Sequence, residues 1–413
     1  VEGRKELMLF LYIDPGTGSM LFSLFIGLAA TLSFGLRALV LKLKFGGGKK
    51  KDDQDEKRLP FVIFSDSKRY FNIFDPICQE FEKRGIHLTY FTLSKDDPIF
   101  TRGYNFIHPE FLGEGNRAFA KLNFIHADIV LSTTPGLDVY QWKRSRNARF
   151  YIHVPHVVDD LSTYRMFGLD HYDAILTTGP CQVDFVRRIE AMRPSIQRKE
   201  LVTVGSIQLD GLASKKNGAR TRARNERPVV LVAPSWGKSA ILSRYGAKIL
   251  NALMKTGYEI VVRPHPQSFD SERELMASLM KEFPSIEWNR DNDNFEVLNR
   301  ADILISDFSG VNYDFSLVFD RPIIYADTAF DPAPYDAAWT GMPIWSFKVL
   351  PLLGNPLKED EFDNIKEIID RTIASIDLER GRESVRKQNW SNRGESARLA
   401  ADYLIRKQQE ISR

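Results

Sequence analysis

The sequence predicts an α/β chain in which one architecture is built twice, and three observations carry that expectation. Short β-branched runs alternate with amphipathic stretches in both halves of the chain. The alternation breaks at one basic, aperiodic segment and then restarts. The 413 residues, 43% of them hydrophobic, are too many for a single compact core. Alternation of this kind implies parallel sheets covered by helices, so the expected form is two Rossmann-like domains facing a cleft.

In the first half, strands are expected at residues 61–64, 88–92, 128–131, 150–153 and 174–176. Between the first two, Phe71, Phe74, Cys78 and Phe81 recur at spacings of three and four, one face of a helix. The break holds Lys215, Lys216, Arg220, Arg222, Arg224 and Arg227 and ends at Pro228. It reads as a solvated linker, or as a contact with anionic lipid or a phosphate-rich acceptor. Strands follow at 229–232, 260–262, 303–305 and 323–325. A helix over 239–255 buries Ile241, Leu242, Tyr245, Ile249 and Leu253, and helical segments at 365–376 and 397–409 close the chain. The expected domains are therefore 59–210 and 228–385, joined by a linker at 211–227, with 386–413 packing back across the cleft.

Ahead of these, residues 20–36 carry no charge and the apolar character resumes at 38–41, about the length that crosses a bilayer core. Arg37, Lys42, Lys44, Lys49, Lys50 and Lys51 follow the run, against Arg4, Lys5 and Glu6 before it. The positive-inside rule then predicts a single-pass membrane anchor at 1–45, a charged tether at 46–58 and a cytoplasmic catalytic body. A cleaved signal peptide would carry its cationic cluster on the other side. A net charge of +3 offers no basis for nucleic-acid binding, and Cys78 and Cys181 stand too far apart to suggest a disulfide scaffold or a thiolate metal site.

Three segments sit just beyond predicted strand ends of the second domain, where open α/β sheets bind ligands. Ala233-Pro234-Ser235-Trp236-Gly237 offers a hydroxyl, a ring and a pliant backbone. Arg263-Pro264-His265-Pro266 holds a guanidinium and an imidazole in a stiffened turn, as a phosphate clamp requires. Ser306-Asp307-Phe308-Ser309-Gly310 precedes a helix over 311–319; Ser309 would cap it, its free amides would take a pyrophosphate, and Asp307 would bind a ribose or glycerol hydroxyl. Each has an ordinary explanation singly, as cap, packed histidine or turn residue; their joint order is more specific. The first domain adds His153-Val154-Pro155-His156, followed by Asp159 and Asp160. The pleat sends His153 and His156 to opposite faces, so one of them faces the cleft as a general base.

Arg263-Pro264-His265-Pro266, the run 301–309, Asp314-Phe315 and Arg321-Pro322-Ile323-Ile324-Tyr325 together resemble the CDP-glycerol glycerophosphotransferase family of teichoic acid primases and polymerases. Ala233-Pro234-Ser235-Trp236 is similar to that family's Ala-Pro-Thr-aromatic segment. The resemblance covers roughly 150–330. It implies a GT-B fold, CDP-glycerol held by the second domain, an acceptor domain at 59–210, and two histidines facing each other across the cleft. These map onto His265 and His156, with His153 competing for the second place. The family usually has Trp-His-Gly at Pro155-His156-Val157 and a second serine at Gly310.

The reaction so implied is attack of an acceptor hydroxyl on the β-phosphorus of CDP-glycerol, with CMP leaving. The acceptor would be a lipid-linked or polymeric component of the cell envelope. Donor contacts are expected from Ser235, Trp236, Arg263, Ser306, Asp307, Ser309 and Gly310, and no cofactor or metal is called for. Two rivals remain: a GT-B nucleotide-sugar glycosyltransferase or UDP-sugar 2-epimerase, and an inactive membrane-tethered scaffold of an envelope-polymer assembly complex.

Overall fold

The computed structural model describes residues 31–37, 39–40, 58–219, 227–291, 293–326, 331–333, 335–341 and 343–413. It divides into two units, 1–57 and 58–413. In the first unit the described residues are helical, with Leu32, Phe34, Leu36, Leu39 and Val40 exposed. Most of the predicted anchor and nearly all of the tether lie outside the described residues. Among the described residues no helix is long and apolar enough to cross a membrane.

The second unit contains two parallel sheets. Strands β1 Leu59–Ser65, β2 Leu88–Thr92, β3 Ile107–Phe111, β4 Ala127–Ser132, β5 Ala148–His153, β6 Ala174–Thr177 and β7 Glu200–Thr203 form the first, in the order β3-β2-β1-β4-β5-β6-β7. Strands β8 Val229–Val232, β9 Glu259–Val262, β10 Glu287–Trp288, β11 Ile303–Ser306, β12 Ile323–Ala326 and β13 Gly354–Leu357 form the second, in the order β10-β9-β8-β11-β12-β13. Both orders reverse at one point, between β1 and β4 and between β8 and β11. At such a reversal the connecting helices diverge to opposite faces and leave a crevice beyond the strand ends.

Each sheet is sandwiched between apolar layers. Phe74, Ile77, Cys78 and Phe81, the stripe of helix Phe71–Lys83 with its missed member Ile77, lie fully buried on one face of the first sheet. Ile241, Leu242, Tyr245, Ile249 and Leu253 of helix Ile241–Met254 do the same on the second. The strand runs Val229–Val232 and Ile303–Ser306 have no exposed residue, as parallel strands covered on both faces should not.

The predicted linker is in part a helix. Residues 211–218 complete Ile207–Gly218, whose Lys215 pairs with Asp293 and whose Lys216 donates to the Val318 carbonyl. These two cations are therefore engaged with the second domain; Arg220, Arg222 and Arg224 lie outside the described residues. The return crossing is made after helix Ile376–Asn389. Helix Ser396–Ser412 packs on helix Phe71–Lys83 and on β4, adding Ala400, Tyr403 and Leu404 to the first core. Gly205 permits that crossing: its φ is +101°, and a Cβ there would lie 2.2 Å from the Ser391 carbonyl oxygen.

Candidate active site

Every candidate side chain stands at or just beyond the carboxyl end of a strand in one of the two sheets. In the second sheet, Asp307 follows β11 and is 1% exposed. Its carboxylate accepts the Ser235 amide at 2.9 Å and the Ile241 amide at 3.1 Å. These bonds fix the loop between β8 and helix Ile241–Met254, and desolvation raises the pKa of Asp307. Ser306 is likewise fully buried, donating its hydroxyl to the Ala233 carbonyl at 2.6 Å, so it ties β11 to the β8 exit rather than facing a ligand.

The expected Ser309 cap is also replaced. The helical turn Val311–Tyr313 has Gly310 at its N-cap and no side-chain cap. Its start is held instead by Asn312, whose side-chain amide donates to the Asp307 carbonyl at 2.7 Å. The run continues as a π-helix, Asp314–Val318, a widened turn that frequently marks functional sites.

Around this frame stand the groups that remain accessible. Trp236 is half exposed, its ring centroid 6.3 Å from that of His265. His265 Nδ1 accepts the Gln267 amide at 3.1 Å, which leaves the proton of a neutral ring on Nε2. Its pKa is lowered, first by burial and then by the positive charge of Arg69, against the opposing pull of Glu272. Arg263, half-buried at the β9 exit, is anchored by the Asn289 side chain, with Asp291 and Asp293 also acting on its charge.

The first sheet supplies the opposite wall. His153, the last residue of β5, is 0% exposed, with Nε2 3.1 Å from the Tyr164 hydroxyl and Nδ1 without a partner. His156 emerges further on and is only partly covered. Its Nδ1 lies 2.8 Å from Thr133 Oγ1, and its ring packs between Tyr70 at 4.6 Å and Tyr164 at 5.8 Å. Burial pushes the His156 imidazole down to about 4, against a smaller upward pull from Thr133. His153 is pushed well down by burial and by His156.

The sequence reading missed one turn that packs on His156 and lies close enough for its charge to act on His265. Lys68–Tyr70 is a single 3-10 turn capped by Ser67; Tyr70 packs on His156, and the charge of Arg69 reaches His265. Asp66, Arg69, Tyr70, Thr133 and Thr134 all follow β1 or β4. The strand-end rule that drew attention to the second domain would have found them here. Asp159 and Asp160, by contrast, turn their carboxylates onto the Leu161 and Ser162 amides.

A family profile described as CDP-Glycerol:Poly(glycerophosphate) glycerophosphotransferase matches residues 170–388. Among solved structures, the chain is similar to the wall teichoic acid polymerase TagF, with a TM-score of 0.59, 16% identity, and 94% of this chain and 98% of that one covered. It is similar in fold to a Staphylococcus aureus MnaA–UDP structure at TM-score 0.58, 10% identity, and 86% and 98% coverage. A UDP-GlcNAc 2-epimerase from Neisseria meningitidis bound to UDP-GlcNAc follows at 0.52, 10% identity, and 84% and 99% coverage. No curated protein sequence matches. The two parallel sheets and the returning C-terminal helix are thus a GT-B-like arrangement, and with more than half of its length matched by the profile the chain belongs to the CDP-glycerol:poly(glycerophosphate) glycerophosphotransferase family.

Proposed function

We propose that this enzyme transfers glycerol phosphate from CDP-glycerol to a hydroxyl of a membrane-associated envelope polymer or lipid-linked acceptor, working at the cytoplasmic face of the membrane. The observation that carries the reading is the turn Lys68–Tyr70, which touches His156 on one wall of the cleft and acts on His265 of the other. Two imidazoles bordering one cleft suit an in-line phosphoryl transfer, in which positioning and charge neutralisation supply most of the catalysis.

In this mechanism His156 donates Nδ1–H to Thr133 Oγ1, which leaves the Nε2 lone pair for the acceptor's proton. The acceptor oxygen bonds to the β-phosphorus as the bond to the bridging oxygen breaks, and CMP departs with the electron pair. His265, protonated on Nε2, donates to the phosphate oxygens. Arg263 and the first amides of the helical run, at Gly310 and Val311, neutralise the pyrophosphate, while Ser235 and Trp236 line the donor's side of the cleft. A pyrophosphate entering the cleft raises both depressed imidazoles, because a nearby anion favours the charged ring.

The fold is shared with a UDP-GlcNAc 2-epimerase and does not select the donor; the family profile favours CDP-glycerol. Offering the purified protein CDP-glycerol, UDP-GlcNAc and a CDP-alditol of different length, each with a poly(glycerophosphate) acceptor, tests the reading. Nucleotide release should be confined to CDP-glycerol, and release from UDP-GlcNAc alone would replace the reading with its rival.

A further inference from the structure

Helix Asp336–Thr340 follows β12 of the second sheet, yet it is fastened to the first domain. The Asp336 amide donates to the Tyr164 carbonyl at 2.9 Å, and Arg165 pairs with Tyr335 in an antiparallel bridge. The Asp336 carboxylate, 2% exposed, accepts from Arg193, whose other terminal nitrogen donates to Asp170 at 2.8 Å. The guanidinium carbon lies over the rings of Phe167 and Trp339, 4.6 and 5.4 Å from their centroids. Removing one partner from an ion pair this buried leaves the other charge uncompensated. The first-domain segment so gripped has two bulky residues in the left-handed region, Leu161 at φ +71° and Phe167 at φ +64°. Such backbone persists only where its surroundings over-determine it. Asp336 supplies part of that hold, accepting the Phe167 amide at 3.4 Å.

Tyr164 sits inside that segment and against His156. Its ring stacks on the imidazole with 24° between the planes, and its hydroxyl lies 3.1 Å from His153 Nε2. We infer that Asp336 is a positioning residue for His156: by clamping Arg193 and the 164–167 backbone it fixes Tyr164, and through Tyr164 the direction of the imidazole. The inference rests on His156 taking the acceptor's proton, and adds that the second domain sets the geometry of a base carried by the first. Among the described residues, Tyr70, Thr133, His153 and Tyr164 face His156 from the elements packed on it. Beyond them, Asp66 and Arg69 act on Tyr70, and Asp159 acts on Tyr164. Burial is nevertheless the leading cause of the low His156 pKa, so loosened packing should show in its titration.

The test reads the ring directly. In the full chain in detergent, isotope-labelled at histidine Cε1, the His156 magnetic-resonance signal is assigned by its loss in His156→Gln and followed between about pH 5 and 8. Wild type, with the imidazole at about 4, should show a neutral ring throughout. In Asp336→Ala, water reaching the loosened ring should bring its midpoint to within about one unit of the ordinary 6.5. Loss of the carboxylate's charge alone would move the midpoint the other way, so an upward shift reports lost packing. Turnover should fall about ten- to a hundredfold with donor KM changed less than about threefold, and the acid limb of kcat/KM should rise with the ring. Arg193→Lys keeps the charge but loses the two-pronged grip. It should give a smaller shift of the same sign, and it decides the matter where Asp336→Ala does not fold. A ring that stays neutral across the whole range in the folded variants would overturn the inference. A shifted ring without a shifted limb would support the clamp and contradict His156 as the base.

Discussion

The rings of Tyr70 and His156 lie 4.6 Å apart between centroids, on loops that leave β1 and β5 with β4 between them. Thr133, at the exit of β4, completes the set by holding His156 Nδ1. Three consecutive strand ends thus fix one imidazole, while His153, three residues earlier, is sealed beneath it against Tyr164 and Tyr172.

This arrangement separates the two histidines by experiment. His156→Ala should lower turnover by roughly two to four decades with little change in donor affinity, the range for loss of a general base. His153→Ala should cost about 1–3 kcal/mol of stability through a buried void and the lost Tyr164 contact, while the folded fraction keeps turning over. Steady-state kinetics and thermal melts on both variants check this; an inactive His153→Ala beside a normal His156→Ala would reverse the assignment.

The acid limb of the pH profile should be displaced. Burial holds the His156 imidazole near 4 in the free enzyme, so kcat/KM should stay level on acidification well past 6.5, the value of an ordinary imidazole. With donor bound, the pyrophosphate raises the imidazole, and the limb of kcat should lie at higher pH than that of kcat/KM. Coincident limbs near 6.5 would show that a different group takes the proton.

Arg263→Ala should weaken CDP-glycerol binding by about one to two decades, since a charge-assisted phosphate contact contributes on the order of 1.5–3 kcal/mol. Asn289→Ala, which removes the anchor of the guanidinium, should produce a smaller loss in the same direction. Unchanged dissociation constants in folded Arg263→Ala would remove this side chain from the donor site.

Asp314, in the π-helical turn, accepts two hydrogen bonds from Gln208 yet is pushed up to about 7 by burial. Its unfolded carboxyl titrates near 3.9, so between these values the folded chain holds a proton that the unfolded chain releases. Its contribution to stability is therefore greatest at acid pH and is lost as pH rises through 7. Asp314→Asn cannot ionise. Its Tm should exceed that of wild type at pH 8, on the order of 2 °C or more, and the gap should narrow by pH 5 and close only below about 4. A gap independent of pH would place the carboxyl's titration elsewhere.

What the sequence disclosed follows the chemistry of parallel sheets. The predicted strands at 229–232, 260–262, 303–305 and 323–325 agree with β8, β9, β11 and β12 to within a residue at each end. The overlooked strands, β3, β7, β10 and β13, all lie at sheet edges. Edge strands need no continuous apolar run, and Pro109 and Pro356 sit within two of them, where a missing ladder donor is tolerated. The candidate site drew attention in the sequence where an unusual motif marked it, at Arg263 to Pro266 and at His156. Asp307 and Ser306, read as ligand contacts in sequence, bond neighbouring backbone groups that come close only after folding. Arg69 and Tyr70 carried no motif at all; their significance arises from what packs against them.

The most direct test identifies the nucleotide that leaves. With CDP-glycerol and a poly(glycerophosphate) acceptor, transfer at the β-phosphorus yields CMP and lengthens the acceptor by one glycerol phosphate, whereas glycosyl-type cleavage at the glycerol carbon yields CDP. Chromatography of the nucleotides, paired with mass spectrometry of the acceptor, should show CMP in equimolar amount with added units for wild type, and a reduction of both by two decades or more in His156→Ala. CDP as the product, or CMP formed at the wild-type rate by His156→Ala, would contradict the account.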